Sequence, residues 1–247
     1  MLVDNKFLYV SLPRCASTSF HISCLRSGFK LEHYAQQFID NHQTPINFNL
    51  CNEHIADNMA HIHEPVNSLL SKFGNRYEII SVKRDKYDRF LSTWKHIIRM
   101  LYIENNIELS NIIKKIEIDD ILFYNYSDLV SDEDMIIDEF IKRNKIEKYV
   151  KDSNPYHSRD IRNMLRILIR PESYWHNNYP KIKWFEFGKF KELEEWVTNK
   201  VGKPFKMESA NSSQHFECNL KLDEKFIKKH NDIYNCYENQ KNNKTLI

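Results

Sequence analysis

Phe7-Leu8-Tyr9-Val10-Ser11-Leu12-Pro13-Arg14-Cys15-Ala16-Ser17-Thr18-Ser19-Phe20 is the stretch on which the fold turns. Its first six residues are mostly apolar and rich in β-formers, as in a short strand buried within a parallel sheet, and Pro13 stops it. Past the proline, Phe20, Ile22, Cys24 and Leu25 fit a helix running from Ser17 or Thr18 to about Ser27 and packing back on the strand. Ser17 and Thr18 are the cap candidates. The turn Pro13 to Ser19 therefore sits where a strand feeds a helix. Successive backbone N–H groups and hydroxyls converge there on a helix N-terminus, a setting suited to a phosphate or a sulfate. A Walker loop needs G-x-x-x-x-G-K-[ST], and this turn contains no glycine. The plainer reading is a capped strand-to-helix connection.

The same unit occurs again. Tyr77-Glu78-Ile79-Ile80-Ser81-Val82 reads as a second core strand, followed by the polar turn Lys83 to Lys86 and a helix from about Tyr87 to Tyr102. A third strand, Ile182 to Phe187, precedes a helix near Lys189 to Asn199 that Gly202 and Pro204 end. Between the first two units, His54, His61 and His63 come just before a helix that Pro65 starts and that Val66, Leu69 and Leu70 anchor. The segment of about 103–150 mixes charged and apolar residues at helical spacing and reads as a helical insertion. A last helix is expected at about Asp223 to Asn239. The expected fold class is α/β: one domain over residues 1–247, three-layered, with a central, mainly parallel sheet flanked by helices.

Composition narrows the function classes. With 41% hydrophobic and 28% charged residues in 247, the chain is globular rather than disordered. A net charge of +2 argues against wholesale nucleic-acid binding but leaves room for a local basic pocket. Cys15, Cys24, Cys51, Cys218 and Cys236 are odd in number and form no C-x-x-C pair, so neither a disulfide framework nor a zinc site is indicated. The apolar run before Pro13 is too short for a signal or spanning segment. A soluble, cytoplasmic protein without a membrane span is expected. Four glycines and many Asn, Ile and Lys residues suggest an AT-rich genome, such as that of a virus, phage or low-GC bacterium; a viral or phage origin would place the protein in an infected host cell.

The partner of the first turn is Lys83-Arg84-Asp85-Lys86-Tyr87-Asp88-Arg89-Phe90-Leu91-Ser92. Arg84 leaves the second strand, and Ser92 stands roughly 12 Å further along the helix at ~1.5 Å per residue. The two hold one ligand only if Arg84 reaches across the helix mouth. The plainer reading makes Arg84 and Arg89 solvated partners of Asp85 and Asp88.

Together the two segments resemble the PAPS-dependent sulfotransferase family. Its phosphosulfate loop is similar to P-K-x-x-S/T-T-S, and its 3′-phosphate motif to R-D-P-x-x-R-x-x-S. The resemblance is closest to the glycan-modifying branch typified by heparan sulfate 2-O-sulfotransferase, whose loop is similar to P-K-T-A-S-T-S-F and which carries an H-x-H element, here His61-Ile62-His63. The three matches cover about the first 100 residues. Pro171-Glu172-Ser173-Tyr174-Trp175 and Phe185 to Leu193 resemble the branch's downstream segments without carrying assigned roles.

The resemblance implies a P-loop-NTPase-like fold and transfer of a sulfuryl group from PAPS to an acceptor hydroxyl, with a glycan as the expected acceptor and no metal. It implies that Arg14, Cys15, Ala16, Ser17, Thr18 and Ser19 hold the phosphosulfate, that Arg84 and Ser92 hold the 3′-phosphate, and that His63 is the base. Histidine suits that task, with an unperturbed pKa of ~6.5. Arg14 departs from the family's lysine and Lys86 from its proline. Arginine stabilises charge on a leaving oxygen but hardly gives up a proton, so electrostatic stabilisation replaces acid catalysis. Glu64 is the rival base or an orienter of the imidazole, and His54, His61 and His63 are alternatively metal ligands. Tyr174 and Trp175 line an acceptor cleft or serve the core. Asn211 to His215 closes over the nucleotide or is a surface loop. The competing functions are a non-catalytic nucleotide or sulfated-glycan binding protein and a nucleotide or sugar kinase.

Overall fold

Two ladders of opposite character share one strand. In the computed structural model, which describes residues 1–32, 63–105, 137–138, 141–142, 147, 162, 165, 167, 170 and 172–208, the element order is β1 (Leu2–Val3), β2 (Phe7–Val10), α1 (Ser17–Arg26), β3 (Leu31–Glu32), α2 (Val66–Phe73), β4 (Glu78–Lys83), α3 (Lys86–Asn105), α4 (Ser173–His176), β5 (Ile182–Glu186) and α5 (Phe190–Val201). The strands form a sheet in the order β3-β1-β2-β4-β5. β2 runs parallel to β4, and β4 parallel to β5. β1 is antiparallel to both β2 and β3.

The sheet is thus mixed rather than mainly parallel. The cause is local. Asp4 and Asn5 stand at φ +48° and +54°, a conformation that short polar side chains tolerate better than others. The chain reverses there, Lys6 N–H donates to the Val3 carbonyl at 2.8 Å, and Leu2 and Val3 fall opposite Leu8 and Phe7.

Every residue of β2 is buried, as a strand inside a sheet covered by helices requires. Tyr9 stacks on Phe20 of α1 at 3.9 Å, and Phe20 meets Phe205 at 5.4 Å. Phe7 meets the edge of Trp196 on α5 at 5.0 Å, and Phe185 packs on the same indole at 6.0 Å. α2 packs against β2 with Val66 and Leu69 buried. α5 ends at Gly202, whose φ of +79° gives a left-handed cap with its N–H on the Thr198 carbonyl. The strap that follows is laced down by Phe205 N–H on Thr198 Oγ1 (3.1 Å), Met207 N–H on Glu194 Oε1 (2.8 Å) and Glu208 N–H on Ser23 Oγ (2.8 Å).

The chain divides into two compact units. The first comprises Met1–Arg89, Tyr156–Ser158 and Glu172–Ser212, and the second Phe90–Pro155, Arg159–Pro171 and Ser213–Ile247. All five strands belong to the first. In the second, Ile137, Ile141 and Leu165 are buried and Arg162 pairs with Asp138. Of the expected helical insertion, residues 103–105, 137–138, 141–142 and 147 are described, and all are helical, Glu147 in a 3₁₀ turn. The expected last helix, Asp223 to Asn239, and the segment Asn211 to His215 lie outside the described residues. No helix among the described residues is long and apolar enough to cross a membrane.

Candidate anion-binding site

Because β2, β4 and β5 are parallel neighbours, Val10, Lys83 and Glu186 end on one edge of the sheet. The residues that follow each strand, Ser11 onward, Arg84 and Phe187, therefore gather at the carboxyl ends, where open α/β sheets place their ligands.

The turn itself is strained. Arg14 and Ala16 stand at φ +64° and +61°, and Cys15 N–H donates to the Leu12 carbonyl at 3.3 Å. Ala16, not the expected Ser17 or Thr18, is the residue that precedes the helix, and no side chain caps it. The first helical bond runs from Phe20 N–H to the Ala16 carbonyl at 2.9 Å. The helix consequently offers no acceptor of its own to the N–H groups of Ser17, Thr18 and Ser19. No acidic residue stands in its first turn, so the partial positive charge there is uncompensated from within the helix. Ser17 and Ser19 are buried and Thr18 is half-buried.

Two arginines from the second strand-helix unit hold the turn. Arg84 Nη1 donates to the Arg14 carbonyl and Arg89 Nε to the Pro13 carbonyl, each at 3.3 Å. A left-handed residue other than glycine costs about 1–2 kcal/mol, whereas a hydrogen bond from a charged donor contributes about 1.5–3 kcal/mol. Two such bonds are enough to offset both strained residues. Each guanidinium lies over an aromatic ring: Arg84 is 4.3 Å above Phe187, and Arg89, only 4% exposed, is 5.1 Å above Trp175. The expected pairing with Asp85 is replaced by a helix cap, since Asp85 Oδ1 accepts from the N–H groups of Tyr87 (2.9 Å) and Asp88 (3.1 Å).

Cys15 reports the local field. Its burial pushes the thiol up to about 12, against the charges of Arg89, Arg84 and Arg14, while Glu172 acts in the same sense as burial. Three cations thus act on the turn, yet Cys15 stays a neutral thiol and is no nucleophile at neutral pH. Glu172 is itself raised above the usual carboxylate range, by burial first and then by Asp85, against the pull of Arg89 and Lys83.

His63 reaches the same place from the segment before α2. Its Nδ1 lies 2.9 Å from the Ser11 carbonyl and 3.5 Å from Ser11 Oγ. A carbonyl only accepts, so Nδ1 carries the proton and Nε2 of the neutral ring keeps its lone pair. Burial holds the imidazole down to about 4; the Ser11 bond opposes this, and the charges of Arg14 and Arg89 reinforce it. It is therefore neutral at pH 7. Glu64, the rival, acts on the Met1 amino group.

The first unit brings together Arg14, Cys15, Ala16, Ser17, Thr18, Ser19, His63 and Arg84. Ser92 is buried further along α3 and belongs to the second unit. His54 and His61 lie outside the described residues. Trp175, 2% exposed, serves the core rather than an open cleft. The sequence pattern gives no role to Phe187 or Glu172, and it does not place Arg89 on the Pro13 carbonyl or over Trp175. The R-x-x-S spacing had singled out Arg89 only as a motif member, and no pattern joins Phe187 to a residue 103 positions earlier, counted from Arg84 to Phe187. Comparison with family models, curated proteins and solved structures found no match to the chain.

Proposed function

We propose that the chain is a sulfotransferase that moves a sulfuryl group from PAPS to an acceptor hydroxyl, with a carbohydrate as the acceptor class and a P-loop-like arrangement as its scaffold. The observation that carries this reading is the meeting of a neutral histidine, its Nδ1 tied to Ser11, with a cationic, uncapped strand-to-helix turn. A nucleotide phosphosulfate suits that turn. The dipole at the start of α1, uncompensated by any acidic residue in its first turn, favours an anion, and Arg14 adds full charge.

PAPS supplies the sulfuryl group. The acceptor oxygen attacks sulfur in line as His63 Nε2 takes its proton, so one O–S bond forms while the bond from sulfur to the bridging phosphate oxygen breaks. PAP leaves with the electron pair on that oxygen. Arg14 and the turn stabilise the charge that develops there. Arg84 is assigned to the 3′-phosphate; Ser92, which the resemblance also implies for that group, belongs to the second unit.

The test is sulfuryl transfer from radiolabelled PAPS across a panel of polysaccharide, glycolipid and small-alcohol acceptors, with His63→Ala alongside. Label should move to a glycan, and His63→Ala should lower the rate about 100-fold or more. Undiminished transfer by the variant would remove His63 as the base.

A further inference from the structure

Phe187 is the exposed large hydrophobic residue among the described residues, at 39%, yet its ring is held from several sides. Its N–H donates to the Lys83 carbonyl at 2.8 Å, carrying the β4–β5 ladder one residue past the Lys83–Glu186 pair. Gly188, at φ +85°, turns the chain away immediately afterwards. Phe190 meets the ring edge-on at 5.7 Å. The ring thus projects from a fixed sheet edge beside the anion-binding turn, and the guanidinium of Arg84 lies over its face at 4.3 Å.

Arg84 has donors to offer. Nη1 is engaged by the Arg14 carbonyl, whereas Nε is buried and has no hydrogen-bond partner among the described residues. A guanidinium carries five N–H donors in a rigid plane, so fixing that plane fixes the direction of every donor at once. From this juxtaposition we infer that Phe187 is a positioning residue, a shelf that orients Arg84 toward an anionic group of the nucleotide held at the turn. The inference rests on the sulfotransferase reading for the identity of that nucleotide. Phe187 does not touch the reacting atoms; it raises donor affinity by removing freedom that Arg84 would otherwise lose on binding.

The experiment is calorimetric titration of the full chain with PAP, for wild type and for Phe187→Ala, Phe187→Leu and Phe187→Tyr, with melting temperatures measured in parallel. A cation over an aromatic face contributes an amount equivalent to a roughly 3- to 30-fold change in Kd. Phe187→Ala and Phe187→Leu should weaken PAP binding within that range, although Leu restores the packing volume and the melting temperature. Phe187→Tyr, which keeps the aromatic face, should bind within about twofold of wild type. In an Arg84→Lys background, Phe187→Ala should lose most of its effect, because the planar partner is gone. Leu binding as tightly as Tyr, or an Ala effect undiminished in that background, would overturn the shelf while leaving the sulfotransferase reading intact. Failure of wild type to bind PAP at all would sink that reading, and the inference with it.

Discussion

Replacing Ala16 by glycine should make the protein more stable, although glycine inside a helix weakens a fold. Ala16 holds φ +61° and ψ 20° directly before α1, with its carbonyl accepting the first helical bond from Phe20. An L-residue pays about 1–2 kcal/mol there because Cβ crowds the following carbonyl, and glycine has no Cβ. Set against this is the greater freedom of glycine in the unfolded chain, about 0.5–1 kcal/mol. Glycine is also the better residue at a helix start that lacks a capping side chain. The difference is a stabilisation of about 0.5–1 kcal/mol, or about 1–4 °C in melting temperature for a chain of this size. Urea unfolding at fixed pH, followed by circular dichroism, measures it through the midpoint at constant slope. A destabilisation of about 1 kcal/mol would refute the left-handed turn and with it the geometry of the cradle.

Arg89→Ala should destabilise by about 2–3 kcal/mol, since a buried charged donor is removed from the Pro13 carbonyl and from the face of Trp175; Arg89→Lys should recover little, because an ammonium reproduces neither the planar Nε contact nor the stack, and denaturant unfolding reads both. Asp85→Ala should cost about 1 kcal/mol by uncapping α3 while Asp85→Asn costs less than half of that, again by unfolding midpoints. His63 and His21 both have folded values of about 4 against a reference of 6.5. Between those values the unfolded chain binds more protons, so these two groups make stability fall as pH falls from about 6.5 to about 4 and contribute no slope above 6.5. Imidazole NMR should show His63 titrating near 4 as the Nδ1–H tautomer, and a midpoint near 6.5 would contradict its burial at Ser11.

Much of the first unit is legible in the residues. β2, α1, β4, α2, β5 and α5 stand within a residue or two of where apolar runs, Pro13, Pro65 and Gly202 put them, because each is long enough to display its own period or its own terminator. β1 and β3 are two residues each, too short to show a period, and so the antiparallel edge was hidden. The cap at Ala16 was hidden for a different reason. Local sterics oppose a left-handed alanine, and the carbonyl bonds that hold the turn come from Arg84 and Arg89, 70 and 76 residues away from their acceptors. His63 was visible as a residue type, but its tautomer depends on Ser11, 52 positions earlier. Asp85 shows how one local signal serves two readings: a carboxylate beside arginines looks like an ion pair, whereas two unsatisfied N–H groups at a helix start claim it first.

We propose that the turn from Pro13 to Ser19, together with Arg84, binds a nucleotide through its phosphosulfate and 3′-phosphate groups. Calorimetric titration of the protein with PAP, with ADP lacking the 3′-phosphate, and with ATP tests it most directly. Micromolar binding of PAP, at least tenfold tighter than ADP or ATP and weakened at least tenfold by Arg84→Ala, is the predicted result. No PAP binding at micromolar concentrations, or a preference for ATP, would contradict it.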